Sequence, residues 1–297
     1  MEVAGSVWII LAGSLVACTC ALLGSFLVLR RMAMVGDAIA HAVLPGIVIA
    51  FLISGSNASL PVLIGAAATG MLTTFIIELL NKKGGLQEDA SIGISFTFLF
   101  SVGIILISLF AGQVELDQDC VLNGEIDQLP INVGAPFLGI DIPSNLYTIF
   151  PAFVLILSFV ILGFRRLQLT TFDSNFAASV GIQVALWHYL LMGAVSLTTV
   201  VSFEAVGAIL VVAFLVIPPS TAYLITNQLK PMLILACVFG ILSVISGYYL
   251  AVTINSSSAA CMAVCSGVIF CLVLLLRKIQ SHKLQNTKNK FQITNFK

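Results

Sequence analysis

Charge is what this sequence has least of. Among 297 residues there are 13 basic and 13 acidic side chains, 9% of the chain, where an ordinary soluble domain carries roughly 25%. So few charges cannot cover the surface of a soluble protein of this length, and a mean hydropathy of +1.11 agrees. A soluble enzyme, a nucleic-acid-binding protein and a disordered chain are all excluded. A disulfide framework is also missing. Of the seven cysteines, Cys18, Cys20, Cys237, Cys261, Cys265 and Cys271 lie inside apolar runs, where a free thiol behaves as a small hydrophobe. Cys120 sits in a polar stretch with no evident partner.

What the sequence has instead is long apolar runs. A membrane-spanning helix needs about 20 mainly apolar residues, and such runs fall near 7–29, 36–54, 61–80, 91–111, 146–164, 187–202, 205–226, 231–253 and 259–276. The expected architecture is an all-α, polytopic integral membrane protein of eight or nine transmembrane helices. The two counts differ at 187–226, where the chain is nearly uninterrupted. It reads either as two spans or as one long helix followed by a re-entrant segment. The first run has no basic leader and ends at Arg30 and Arg31, so it is read as a retained span rather than a cleaved signal. Residues 1–279 form the membrane domain in this reading, and 280–297 form a polar, basic tail.

The bases orient the bundle. Arg30–Arg31 follow the first span, Lys82–Lys83 the third, Arg165–Arg166 the fifth, Lys230 the seventh, and the remaining six follow the ninth. With nine alternating spans all 13 lie on one side, which the positive-inside rule makes cytoplasmic. The N-terminus is then expected outside and the C-terminus inside. The opposite side carries acids alone. In the 112–145 stretch stand Glu115, Asp117, Asp119, Glu125, Asp127 and Asp141 with no Lys or Arg. This stretch is either a cation-attracting mouth or an ordinary solvated loop.

Ionisable residues at membrane depth mark substrate or ion paths by default. Asp37 and His41 are four residues apart, on one face of a helix. Counting about 1.5 Å per residue from Arg31 places them roughly 9 and 15 Å into the membrane. A carboxylate oxygen and an imidazole nitrogen make half of a first-row divalent metal site, and a second copy of the chain is able to supply the other half. The competing reading has Asp37 as a helix cap and His41 as a satisfied polar residue between helices. Pro45–Gly46 should bend or loosen the helix just beyond. Glu204, between the sixth and seventh runs, reads as a gate carboxylate or as a helix-terminal residue. His188, beside Trp187 and Tyr189, reads as part of an interfacial aromatic belt.

The stretch Leu29-Arg-Arg-Met-Ala-Met-Val-Gly-Asp-Ala-Ile-Ala-His-Ala-Val-Leu-Pro-Gly46 resembles a signature of the ABC-3 family, the membrane permeases of ATP-driven zinc, manganese and iron importers. Further matches follow in order: Glu88 to Gly93, Leu116 to Glu125, Phe172 to Gly181, Val206 to Ala222 and Ser246 to Leu250. The resemblance implies a homodimeric permease in the bacterial inner membrane. Its expected partners are two cytoplasmic ATPase subunits and an extracytoplasmic metal-binding receptor. Asp37 and His41 become the intramembrane metal ligands of each protomer, with Glu204 as a further acidic candidate. Asp117, Asp119 and Glu125 form the outer acidic mouth. A short helix opened by Asp173, with Phe176, Ala177 and Gly181 on its contact face, resembles the coupling helix that docks on the ATPase.

The Leu116-Asp-Gln-Asp-Cys120 version of the outer stretch resembles manganese- or iron-type members more than zinc-type ones. Its oxygen donors suit manganese, although carboxylate–imidazole sites also bind zinc. Asn123–Gly124 and the added 130–143 stretch depart from the pattern. No Gly-x-x-x-x-Gly-Lys-Ser/Thr phosphate loop is present, so the chain is not expected to be an enzyme. No permanently bound cofactor is expected either, and the metal is cargo. The rival is a secondary transporter relaying protons through Asp37, His41 and Glu204; no inverted repeat supports it.

Overall fold

The computed structural model describes residues 2–54, 59–110, 126 and 143–294, and the side chains of these except 2–4, 59, 60, 204 and 280–294. Apolar runs with no water to satisfy their backbone fold into helices, and eleven helices are described. They are α1 (Glu2–Leu29), α2 (Ala33–Ala42), α3 (Leu44–Ser54), α4 (Ser59–Lys82), α5 (Glu88–Phe110), α6 (Leu146–Phe172), α7 (Ser174–Ser179), α8 (Val184–Val206), α9 (Ala208–Ile225), α10 (Leu229–Ile254) and α11 (Ser258–Thr294). Among the described residues nine stretches are long and apolar enough to cross a membrane, with α2 and α3 together making the second.

The region of the two weakest runs resolves into two spans. Gly207, at φ 81° and ψ 162°, ends α8 and begins α9, a conformation open in practice only to glycine. Its amide still donates to the Phe203 carbonyl at 3.0 Å, closing α8 before the chain turns. At the other end of the fifth span, α6 runs on through Arg165 and Arg166 to Phe172. Nothing in that polar turn breaks the helix before Asp173. The chain from Gln280 onward likewise continues α11 as far as Thr294.

The first helix is the centre of the bundle. Val16, Ala17, Cys20, Leu23, Phe26 and Leu27 are completely buried, and α1 packs on α6, α8, α9 and α10. Between lipid-embedded helices the apolar drive is weak, and close backbone approach through small residues takes its place. A Cβ at Gly24 would meet the Leu215 carbonyl of α9, and Gly46 and Gly65 bring α3 against α4 in the same way. Several hydroxyls inside the bundle return to their own helices. Ser25 donates to the Ala21 carbonyl at 2.7 Å and Ser95 to that of Ser91 at 2.6 Å, so they add no unpaired polar group to the core.

The ends of α1, α4, α6 and α9 and the starts of α2, α5, α8 and α10 gather at one end of the bundle. Arg30, Lys82, Arg166 and Lys230 all belong to this basic end. Arg30 there reaches Thr170, Thr171 and His188, contacts that fix those helix ends together independently of any membrane. A turn through Arg31, at φ 62°, then reverses the chain from α1 into α2.

Candidate functional site

Asp37 is the fifth residue of α2, whose N-cap position is Met32 with no side-chain cap bond. The carboxylate is therefore not consumed as a cap. One turn later His41 brings Nε2 to 3.6 Å from Asp37 Oδ1, too long for a hydrogen bond. With the imidazole proton on Nδ1, Nε2 and the carboxylate oxygen each offer a lone pair to a third centre. A metal about 2.1 Å from each would subtend an angle of about 120° between them, within reach of tetrahedral or distorted octahedral coordination. Phe96 and Phe100 of α5 flank the imidazole, with ring centroids 6.1 and 5.8 Å away. The helix breaks at Val43, between α2 and α3, where Pro45 and Gly46 led the sequence to expect it.

The pair is incomplete by itself. Among the described residues no three His, Cys, Asp or Glu side chains converge as metal ligands. The side chains of His41 and Asp37 are also 38% and 33% exposed on the surface of the single chain. Two polar side chains left partly open within a span call for a partner surface rather than lipid.

Other predicted residues have different fates. Glu204 lies in the last turn of α8, and its side chain lies outside the described residues. So do Asp117, Asp119, Glu125 and Cys120, together with all of the 130–143 stretch but its last residue. The short helix after span five is α7. Asp173 caps it, with Oδ1 accepting from the Phe176 amide at 2.9 Å. Phe176 is 52% exposed and Gly181, at φ 84°, is exposed too. Ala177, expected on the same contact face, is instead fully buried against the bundle. One residue along a helix turns the side chain by about 100°, so Phe176 points out while Ala177 points in.

A second polar cluster, at the basic end, escaped the sequence reading. His188 does not sit in an aromatic belt. Its side chain is 14% exposed, and its Nδ1 lies 3.2 Å from Arg30 Nη1. Arg30 Nε and Nη2 donate to Thr171 and Thr170, each at 3.1 Å. Burial pushes the guanidinium down to about 10, which leaves it charged at neutral pH. Across α8, His188 Nε2 is 3.0 Å from Glu78 Oε1. Tyr189 donates to Glu78 Oε2 at 2.6 Å and Lys82 to Oε1 at 3.1 Å. Glu78 ends an apolar run, and its i,i+4 relation to Lys82 was the one local signal pointing to it. Beside the cluster opens a cavity of about 650 Å³, lined by Glu78, Asn81, Glu88, His188 and Tyr189 among others.

Comparison with known proteins places these features in a family. The model described as the ABC 3 transport family matches residues 5–277. The manganese transport system membrane protein MntD of Bacillus subtilis is 46% identical over 270 residues, covering 90% of each chain. The zinc transport system membrane protein TroD of Treponema pallidum is 40% identical over 267 residues, covering 90% of this chain and 72% of that one. Among solved structures, PsaBC from Streptococcus pneumoniae in complex with Fab superimposes with a TM-score of 0.74 at 29% identity, over 90% of this chain and 89% of that chain.

Proposed function

The chain belongs to the ABC 3 transport family, and we propose that it is the permease of an ATP-driven importer carrying a divalent first-row metal, manganese or iron ahead of zinc. The observation that carries this reading is the Asp37–His41 pair, two metal-type donors 3.6 Å apart and a third exposed within a membrane span. Two copies facing each other through α2 supply four donors and bury both pairs, which a single chain leaves open. The ion passes along that shared face. The basic end is cytoplasmic by the positive-inside rule, which puts the N-terminus outside and the C-terminus inside the bacterial inner membrane.

ATP hydrolysis belongs to separate subunits that dock on α7 through Phe176 and Gly181, with Ala177 seating that helix on the bundle. A receptor on the outer side delivers the ion to the acidic stretch around Asp117, Asp119 and Glu125, and Glu204 lies at the outer end of α8 as a further acidic station. Relatives named for manganese and for zinc support a divalent cargo. The preference for manganese rests on the hard oxygen donors of the outer stretch.

The test is reconstitution of the permease with its ATPase and receptor in proteoliposomes, followed by uptake of radiolabelled manganese with zinc or iron as competitor. ATP-dependent uptake that equimolar zinc fails to suppress is expected. Uptake that proceeds without ATP, or none at all, overturns the reading.

A further inference from the structure

The cluster at the basic end lies outside the metal pair, yet its members join the segments that transport must coordinate. Arg30 precedes by three residues the start of α2, which carries Asp37 and His41. The two hydroxyls it holds, on Thr170 and Thr171, close α6 just before the Asp173 cap of α7. One guanidinium therefore ties the chain entering the docking helix to the chain entering the metal-bearing helix. Through His188 and Glu78 the same network continues into α8 and α4.

The protonation pattern follows from the partners. A guanidinium only donates, so His188 Nδ1 facing Arg30 is the acceptor and Nε2 carries the proton. That N–H stands 3.0 Å from Glu78 Oε1 but out of line with it, and Nε2 is buried without a hydrogen bond. A small rotation of the ring would bring the N–H into line and make this bond, which the geometry leaves unmade. The cluster uses the same donor types as Asp37 and His41 for a different end. Lys82 and Tyr189 already engage both oxygens of Glu78.

We propose that Arg30, His188 and Glu78 form a cytoplasmic-end clamp that transmits movement of α7 to α2 and opens and closes during the transport cycle. The proposal rests on the importer reading above. The three are positioning residues, acting on the metal pair through the helices they join.

The clamp is tested in the assembled transporter with Arg30→Lys, which keeps the charge and loses the fork, and Glu78→Gln. The readouts are manganese affinity, ATP hydrolysis and ions imported per ATP. Affinity and hydrolysis should stay near the wild type while ions imported per ATP fall severalfold. An unchanged ratio in both variants overturns the clamp. If the variants do not assemble, hydrogen exchange on the wild-type complex decides. Peptides covering Arg30, Glu78, Thr170 and His188 should change protection together between nucleotide-free and ATP–vanadate states, and unchanged protection there overturns it. Failure of the importer reading is seen separately, as a wild-type complex without ATP-dependent metal uptake.

Discussion

Asp37 Oδ1 and His41 Nε2 face each other at 3.6 Å on one side of α2, and both side chains remain about a third exposed on the isolated chain. Their spacing leaves room for an ion and their exposure leaves room for a second pair. The helix that holds them is anchored at both ends, by the Arg31 turn before it and by the break at Val43 after it. Its inner face, through Val35, Ile39 and Ala42, is fully buried. The pair is thus set on a firmly packed helix with its donor atoms turned away from the core.

Replacing either member of the proposed metal pair should stop transport without dismantling the protein. Asp37→Asn and His41→Ala each remove one donor from a partly exposed position, so the fold loses little. Loss of outer-shell partners alone typically costs about 10–100-fold in metal affinity, and loss of a direct ligand should cost at least that. Uptake in cells should fall to background while co-purification with the ATPase persists. Wild-type uptake in both variants would remove the pair from the ion path.

Gly207 should not tolerate a side chain. At φ 81° and ψ 162° an alanine carries strain of about 1–3 kcal/mol, at the point where α8 hands over to α9. Gly207→Ala is expected to lower the unfolding midpoint in detergent. A variant as stable as the wild type would mean that this junction adopts another conformation.

Two glycines inside helices should respond in opposite directions. A Cβ at Gly24 meets the Leu215 carbonyl, whereas one at Gly267 meets nothing within 4 Å. Forcing α1 away from α9 by Gly24→Ala should cost about 1–3 kcal/mol, as overpacking does. Gly267→Ala should be neutral or gain up to about 1 kcal/mol from helix propensity. Thermal stability of the purified permease measures both, and equal effects would refute the close packing of α1 on α9.

Much of this arrangement is legible in the residues themselves. The spans follow from runs of about 20 apolar residues, and Asp37 and His41 stand out because polar groups are rare there. The break between α8 and α9 was open because an apolar run of that length does not report φ, and one left-handed glycine decides it. The clamp was hidden for a different reason. Arg30 and His188 are 158 residues apart, and Tyr189 and Glu78 are 111 apart, so no local pattern joins them. His188 also stands beside Trp187, whose ring packs between α6 residues, stacked on Phe159 at 6.0 Å with Arg166 5.4 Å above it. Similar neighbours in sequence pointed the two side chains to one role, and the helix turned them to different surroundings.

The proposed docking helix gives the most local of the predictions. With six residues, α7 is far too short to be stable by propensity, and it depends on its cap and on burial of Ala177. Asp173 Oδ1 holds the Phe176 amide at 2.9 Å, a bond whose loss typically costs about 1 kcal/mol. Asp173→Ala should therefore loosen the turn that presents Phe176, weakening co-purification with the ATPase and lowering ATP-driven uptake. Asp173→Ser, which restores a capping oxygen, should recover most of both. Phe176→Ala should weaken docking without unfolding α7, because its side chain is half exposed and contributes little to the bundle. If Asp173→Ala binds the ATPase as the wild type does while Phe176→Ala does not, the contact depends on the ring and not on the cap. If neither change matters, the ATPase docks elsewhere on the basic end.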